Sequence, residues 1–189
     1  NGGAQITLDA LTPGSVSHFA FVGVGGTGNR TMVTPEGWTL VDFGSNSTDP
    51  SWNQYWFFVS NEASPAELAF TLSDSIQSGT ALVVNFAEPV DELINRAVNE
   101  SNAGGDISID SPSMPLFEPS LVLRVVSYNH ISTSTATYPP SVTMNRTEDN
   151  DATNGVEKFK IAFAFEESPV GTVPDVTWAL SGGDPWRPT

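Results

Sequence analysis

The sequence predicts an all-β protein, a β-sandwich of jelly-roll-like type built from two pseudo-repeats, with at most one short helix. About eleven strand-like segments, separated by turn residues at roughly 8–15-residue spacing, support this fold class. The chain also contains 14 prolines and 16 glycines, which suit a fold with many turns. Finally, an apolar strand, a polar loop and a turn into another strand occur in residues 19–39 and again in residues 121–143.

The individual strands are predicted from apolar and β-branched runs that are bounded by turn residues. Residues 158–161 (KFKI) alternate polar and apolar side chains, which indicates a half-buried strand. Residues 81–86 (ALVVNF) are apolar almost throughout, which indicates a strand buried between layers. The strands are predicted near residues 5–8, 16–24, 37–43, 55–60, 67–72 and 80–86, and near residues 106–109, 121–127, 141–144, 158–165 and 175–180.

One segment has a helical period. In residues 89–98 (PVDELINRAV) apolar residues recur at positions i, i+3, i+4, i+7 and i+8. Asp91 and Glu92 would lie in the first turn of such a helix, where carboxylates are favourable. This pattern predicts either a short surface helix or an extended crossover at the junction between the repeats.

The chain is predicted to form one domain over residues 1–189, because each half alone would lack strands to cover its apolar face. Pseudo-repeat one spans about residues 16–91, the connector about residues 92–118, and pseudo-repeat two about residues 119–189.

The second repeat is predicted to lack its last strand. Trp186 stands where that strand would begin, but Pro185 and Pro188 flank it and cannot donate ladder hydrogen bonds. The edge left open would be covered by a neighbouring subunit.

The charge of the chain limits its partners. There are 22 acidic and seven basic residues, which give a formal net charge of −15. Nucleic-acid affinity depends on lysine and arginine releasing counterions from phosphates, so we expect no nucleic-acid partner. An acidic surface also repels anionic lipid, and no run reaches the roughly 18–20 apolar residues of a membrane span. The absence of cysteine excludes disulfides and thiolate chemistry.

Two loops resemble ligand-binding motifs. The glycine-rich residues 23–28 (GVGGTG) follow a strand, but β-branched residues and Pro35 follow instead of the helix that phosphate binding requires. The acidic residues 148–155 (EDNDATNG) offer Asp149, Asp151 and Asn154 as oxygen ligands for calcium. Their glycine and distal ligand positions do not fit an EF-hand loop, so we interpret them as a solvated turn.

Other reactive residue types lack a catalytic pattern. His18 and His130 are the only histidines, and they are interpreted as edge or loop residues. Glu166 and Glu167 form the densest carboxylate pair, and Glu62 occupies the equivalent place in the first repeat, which favours a structural turn over glycoside hydrolysis. We therefore assign no catalytic, cofactor-binding or metal-binding residue.

The five tryptophans could either stack on sugars or fill the core. Trp38, Trp56 and Trp178 occupy strand positions that fit a core. Trp52 and Trp186 lie among turn residues and are expected to be more exposed.

The order of several motifs resembles a family of duplicated β-sandwich domains found in tailed phages, prophages and some bacterial surface proteins. The motifs are residues 34–40 (TPEGWTL), 55–65 (YWFFVSNEASP), 70–73 (FTLS), 81–86 (ALVVNF), 89–91 (PVD) and 139–144 (PPSVTM). The resemblance covers roughly residues 16–182, and the chain departs from it in the long connector of residues 99–119 and in its short C-terminal end. It implies an accessory module of virion heads or tails without catalytic residues or cofactors.

The resulting expectation is a non-enzymatic structural protein on the exterior of a tailed-phage virion. A capsid decoration or cement protein is the first expectation, and a tail-fibre or spike module is the second. Its partners would be the major capsid protein or a tail protein, with the chain itself forming a homo-oligomer. The alternative is a carbohydrate-binding or adhesive module of a cell-surface or secreted protein, whose ligand would be a surface glycan.

Overall fold

In the computed structural model, the described residues form β-strands and no helix, so the predicted all-β fold class is confirmed. Its strands pair in antiparallel sheets, consistent with a β-sandwich. The chain divides into two compact units, Asn1–Leu93 and Ile94–Thr189. The structure describes residues 4–8, 11–25, 30–45, 53–65, 68–74, 78–90, 108–130, 135–137, 143–151, 158–181 and 185–188.

The first unit has two sheets. Its strands are β1 (Gln5–Thr7), β2 (Ser17–Gly25), β3 (Thr39–Ser45), β4 (Asn53–Ser60), β5 (Ala69–Thr71) and β6 (Ser78–Phe86). Four of them form a sheet in the order β3-β4-β2-β6, in which β6 pairs with β2 along its whole length. β1 and β5 form a second sheet, and Met32 bridges to Leu72 beside β5.

Side chains from both sheets of the first unit pack into one core. Alternate residues of β2, including Ala20 and Val22, belong to this cluster. Phe19 and Phe21 point to the opposite face of the sheet and are also buried. Burial on both faces explains why β2 is apolar almost throughout. The cluster comprises Ile6, Leu8, Ala20, Val22, Val24, Trp38, Trp56, Phe58, Phe70, Leu72 and Val83.

A tight turn leads into β3 and explains the PEGW motif. The Trp38 amide donates a 3.2 Å hydrogen bond to the Pro35 carbonyl, and Gly37 has a φ of 85°. A positive φ at the third position is typical of a type II turn and favours glycine. A Cβ on Gly37 would lie 3.0 Å from the Pro65 side chain. The PEGW turn therefore packs against Pro65, the last residue of the YWFFVSNEASP motif, and both motifs have structural roles.

The second unit has three sheets among its described residues. Its strands are β7 (Ser108–Ser111), β8 (Met114–Leu116), β9 (Ser120–His130), β10 (Thr135–Thr137), β11 (Thr143–Asp151), β12 (Lys158–Ser168), β13 (Gly171–Val173), β14 (Val176–Ser181) and β15 (Pro185–Pro188). They pair in the orders β11-β12-β9-β15, β10-β14-β7 and β13-β8.

The four-stranded sheets of the two units share one order of connections. β2 and β9 are each the first strand of their sheet along the chain, and each lies between the third strand (β4 or β12) and the last (β6 or β15).

The predicted internal duplication and the predicted single domain with a shared core stay predictions.

The expectation that the second unit lacks a last strand is wrong. β15 pairs with β9, with Trp186 opposite Asn129. The prolines are tolerated because β15 is the outer strand of its sheet among the described strands. β15 nevertheless reaches only residues 128–130 of β9, whereas β6 pairs with all nine residues of β2.

The eleven strands predicted from the sequence are present, although β11 extends well beyond the predicted residues 141–144. The short strands β8, β10, β13 and β15 were not predicted. The helix or crossover predicted over residues 89–98 lies outside the described residues beyond Val90.

Candidate functional site

The structure places the described parts of the glycine-rich and acidic segments in strands. Gly23 and Gly25 are buried within β2, and residues 26–29 lie outside the described residues. The acidic segment begins in β11, with Asp149 opposite Lys160 in the register of β12. The interpretation of residues 148–151 as part of a turn is therefore wrong, while residues 152–155 lie outside the described part of the chain. Among described residues, no three histidine, aspartate or glutamate side chains form a metal-binding group.

His18 is a core residue of β2, so its interpretation as an edge or loop histidine is wrong. The side chain is fully buried. Its Nδ1 lies 2.7 Å from Asn85 Oδ1, and its ring lies 6.3 Å from that of Trp38. Nε2 has no hydrogen-bond partner among the described residues. The sequence signal was the position of His18 inside an apolar run. His130 is the last residue of β9 and pairs in register with Lys158.

The carboxylates and tryptophans of the sequence analysis also have defined places. Glu62 is exposed in the first unit, and Glu167 is exposed on β12 in the second. Trp38, Trp56 and Trp178 are buried, so their predicted core role is confirmed. Trp186 lies in β15, and Trp52 lies outside the described residues.

Exposed apolar side chains flank a bend between two strand ladders of the second unit, and sequence reasoning did not predict them. Phe117, Leu121 and Val170 are 78%, 47% and 58% exposed. We call these three residues the Phe117 corner. Phe117 fell in the predicted connector, and its only sequence signal is an apolar side chain between Pro115 and Pro119.

Strand register explains why these side chains lie together. The β8–β13 ladder ends where Leu116 pairs with Gly171, so Phe117 and Val170 are the next residues on the two chains. The β9–β12 ladder ends where Ser120 pairs with Ser168. The corner is thus a bend between the β8–β13 and β9–β12 ladders, which follow one another along the same two segments of the chain.

A buried cluster supports the Phe117 corner. Leu116, Val122 and Val173 pack together, with Met114 against them. Leu116 and Val122 are the chain neighbours of Phe117 and Leu121, and neighbouring residues in a strand point to opposite faces. Phe117 and Leu121 therefore project outwards, because their neighbours Leu116 and Val122 fill the interior.

Two hydrogen bonds hold the surrounding chain. Ser120 Oγ donates to the Glu118 carbonyl at 3.0 Å, which closes the bend. Buried Arg124 donates from Nη2 to the Pro174 carbonyl at 2.9 Å, which ties β9 to the segment after β13. Both bonds fix the chain segments that carry Phe117 and Leu121.

The charges beside the Phe117 corner are negative. Glu118 follows Phe117 directly, and Glu167 lies opposite Leu121 in the register of β9 and β12. Both glutamates are exposed. The segments 114–121 (MPLFEPSL) and 166–173 (EESPVGTV) contain no lysine or arginine.

A second exposed apolar pair lies on β3, the outer strand of the first four-stranded sheet. Leu40 and Phe43 are 41% and 47% exposed. A bulge interrupts the pairing of β3 with β4 between Leu40 and Asp42. Asp42 Oδ1 accepts a 2.8 Å hydrogen bond from the Phe43 amide. A bulge and a carboxylate on an edge strand both oppose the addition of another strand.

Comparison of the chain with known protein families, curated proteins and solved structures finds no match. In the described part of the chain, no helix has the length and apolar character to span a membrane.

Proposed function

We propose that this chain is a non-enzymatic structural protein of the exterior of a tailed-phage particle, with capsid decoration as its first role and a tail fibre or spike as its second. The Phe117 corner carries the proposal, because it presents apolar side chains on a supported framework in a chain of net charge −15. Such a surface suits attachment to another protein, and the acidic charge suits a position away from the genome.

The size of the Phe117 corner is compatible with one contact of a repeated attachment. With about 200 Å² for a whole phenylalanine and somewhat less for leucine and valine, the exposed fractions amount to roughly 300 Å². At about 25 cal/mol per Å², complete burial would contribute up to about 7 kcal/mol before association entropy is subtracted. One such contact is weak, so we propose that a homo-oligomer presents several at once to the capsid or tail protein.

The buried tryptophans favour this function over the glycan-binding alternative. Sugar-binding surfaces use exposed aromatic rings, whereas Trp38, Trp56 and Trp178 are buried in their units. Among the residues whose side-chain exposure the structure describes, the exposed aromatic residues are Phe43 and Phe117.

Copy number tests the proposed function. Quantitative mass spectrometry would be applied to purified particles of a phage whose genome encodes this chain. A decoration protein is expected at on the order of hundreds of copies per particle, and a tail component at far fewer, because the symmetry of the assembly multiplies each position. Absence from the particles, or specific glycan binding by the isolated chain, would refute the proposal.

A further inference from the structure

We propose that the Phe117 corner binds a partner protein through an apolar segment flanked by lysine or arginine, and that this occupant is not a second copy of the chain. The proposal rests on the proposed function, since it specifies the chemistry of the surface on which the protein docks. Three properties of the corner support it: its apolar centre, its carboxylate rim and the prolines in its bend.

The apolar centre requires an apolar occupant. Phe117 and Val170 are among the most exposed large apolar side chains in the described residues. They stand at the next positions beyond the Leu116–Gly171 pair, one on each segment, so both belong to the same bend. Covering these side chains releases water, and the gain is largest against an apolar partner surface, because a polar one would lose its own hydration.

The carboxylate rim selects for a cationic partner. Exposed Glu118 and Glu167 adjoin the apolar centre, and the two segments that form it carry no basic residue. A second copy would bring the same carboxylates and another net charge of −15 towards this surface. Like charges at an interface disfavour the wrong partner, whereas lysine or arginine would complement the rim and accelerate association.

The prolines in the bend indicate recognition by side chains. Pro119 and Pro169 are exposed on the two segments between the ladders, and neither can donate a main-chain hydrogen bond. A partner strand therefore finds a poor hydrogen-bonding edge at the bend. Side-chain contacts of Phe117 and of the carboxylate rim are therefore the expected sources of affinity.

A pair of labelled peptides tests the inference with the full chain. Both peptides have a Leu-Phe-Leu centre, and they differ only in carrying lysines or glutamates on both sides of it. Fluorescence anisotropy is expected to show at least about tenfold tighter binding of the lysine peptide. Raising the salt from about 0.05 M to about 0.5 M should weaken that binding severalfold, because the Debye length shortens.

Matched variants locate the binding. Phe117→Ser should weaken binding of the lysine peptide at least about tenfold. Val33→Ser is the control, since Val33 is 76% exposed but lies in the first unit. The double variant Glu118→Lys/Glu167→Lys should reverse the preference between the two peptides. All of these positions are exposed, so the circular dichroism spectrum should be unchanged.

Several results would overturn the inference: equal affinity for both peptides, no saturable binding, equal effects of Phe117→Ser and Val33→Ser, or a dimer of the full chain that Phe117→Ser dissociates. A photo-crosslinker at position 117 that captured a second copy would have the same consequence. If the full chain prefers the lysine peptide but is absent from phage particles, only the proposed phage function is refuted. If the chain is present on particles but binds both peptides equally, only the proposed role of the Phe117 corner is refuted.

Discussion

Replacement of Gly44 by alanine is expected to destabilise the first unit through a steric overlap with Tyr55. The two residues are directly paired between β3 and β4. A Cβ on Gly44 would lie 2.5 Å from Tyr55 Cε1, about 1 Å inside an ordinary van der Waals contact. Gly44 is not among the glycines with positive φ, so the effect is steric and does not come from backbone strain.

The magnitude follows from the packing of the Tyr55 ring. The ring is buried, stacks on Phe21 at 5.9 Å and meets Phe57 edge-on at 5.7 Å. Displacing it disturbs two aromatic pairs worth about 0.5–1.5 kcal/mol each, within the range of about 1–3 kcal/mol for overpacking. Replacing glycine by alanine also restricts the unfolded chain, which raises the free energy of unfolding by about 0.4–1 kcal/mol. We expect a net loss of about 1–2 kcal/mol.

Thermal unfolding of Gly44→Ala would measure this loss. A melting point lower by roughly 4–16 °C is expected for a unit of this size, with faster amide exchange in β3 and β4. The control repeats the substitution in a Tyr55→Leu background, where the ring is absent and alanine should be nearly neutral. Equal destabilisation in both backgrounds, or none in the wild-type background, would contradict the steric explanation.

Three further substitutions test other parts of the structure. Trp178→Ala should destabilise the second unit by about 3–5 kcal/mol, because the indole is fully buried; urea unfolding measures this, and a loss below 1 kcal/mol would contradict the burial. Asn85→Ala should lower stability by about 1–3 kcal/mol in the same assay, because His18 Nδ1 loses its partner. Asp42→Ala should increase self-association in sedimentation experiments, because the amide of Phe43 becomes available on an edge strand; an unchanged monomer fraction would oppose this role.

Residue pattern was sufficient for the strands and for much of the core. The apolar run of β2 is buried, and so are the tryptophans on strand positions. In both cases the burial follows from side-chain type and strand period. The PEGW turn was visible because a type II turn needs glycine at one defined position, here Gly37. These properties depend on a few consecutive residues.

The strands that escaped prediction are short. β8 and β13 have three residues each, too few to show alternation, and they exist because they pair with each other across about 60 residues of chain. β15 contains two prolines, so only its position at the edge of β9 permits it.

The sequence by itself determined the all-β class, the order of the longer strands and the strongly acidic charge, because composition and period act locally along the chain. Only the tertiary structure decided that Asn85 faces the buried His18 and that Phe117, Leu121 and Val170 are exposed near one bend. Exposure depends on which distant segments pack against a side chain, and no local pattern encodes those neighbours.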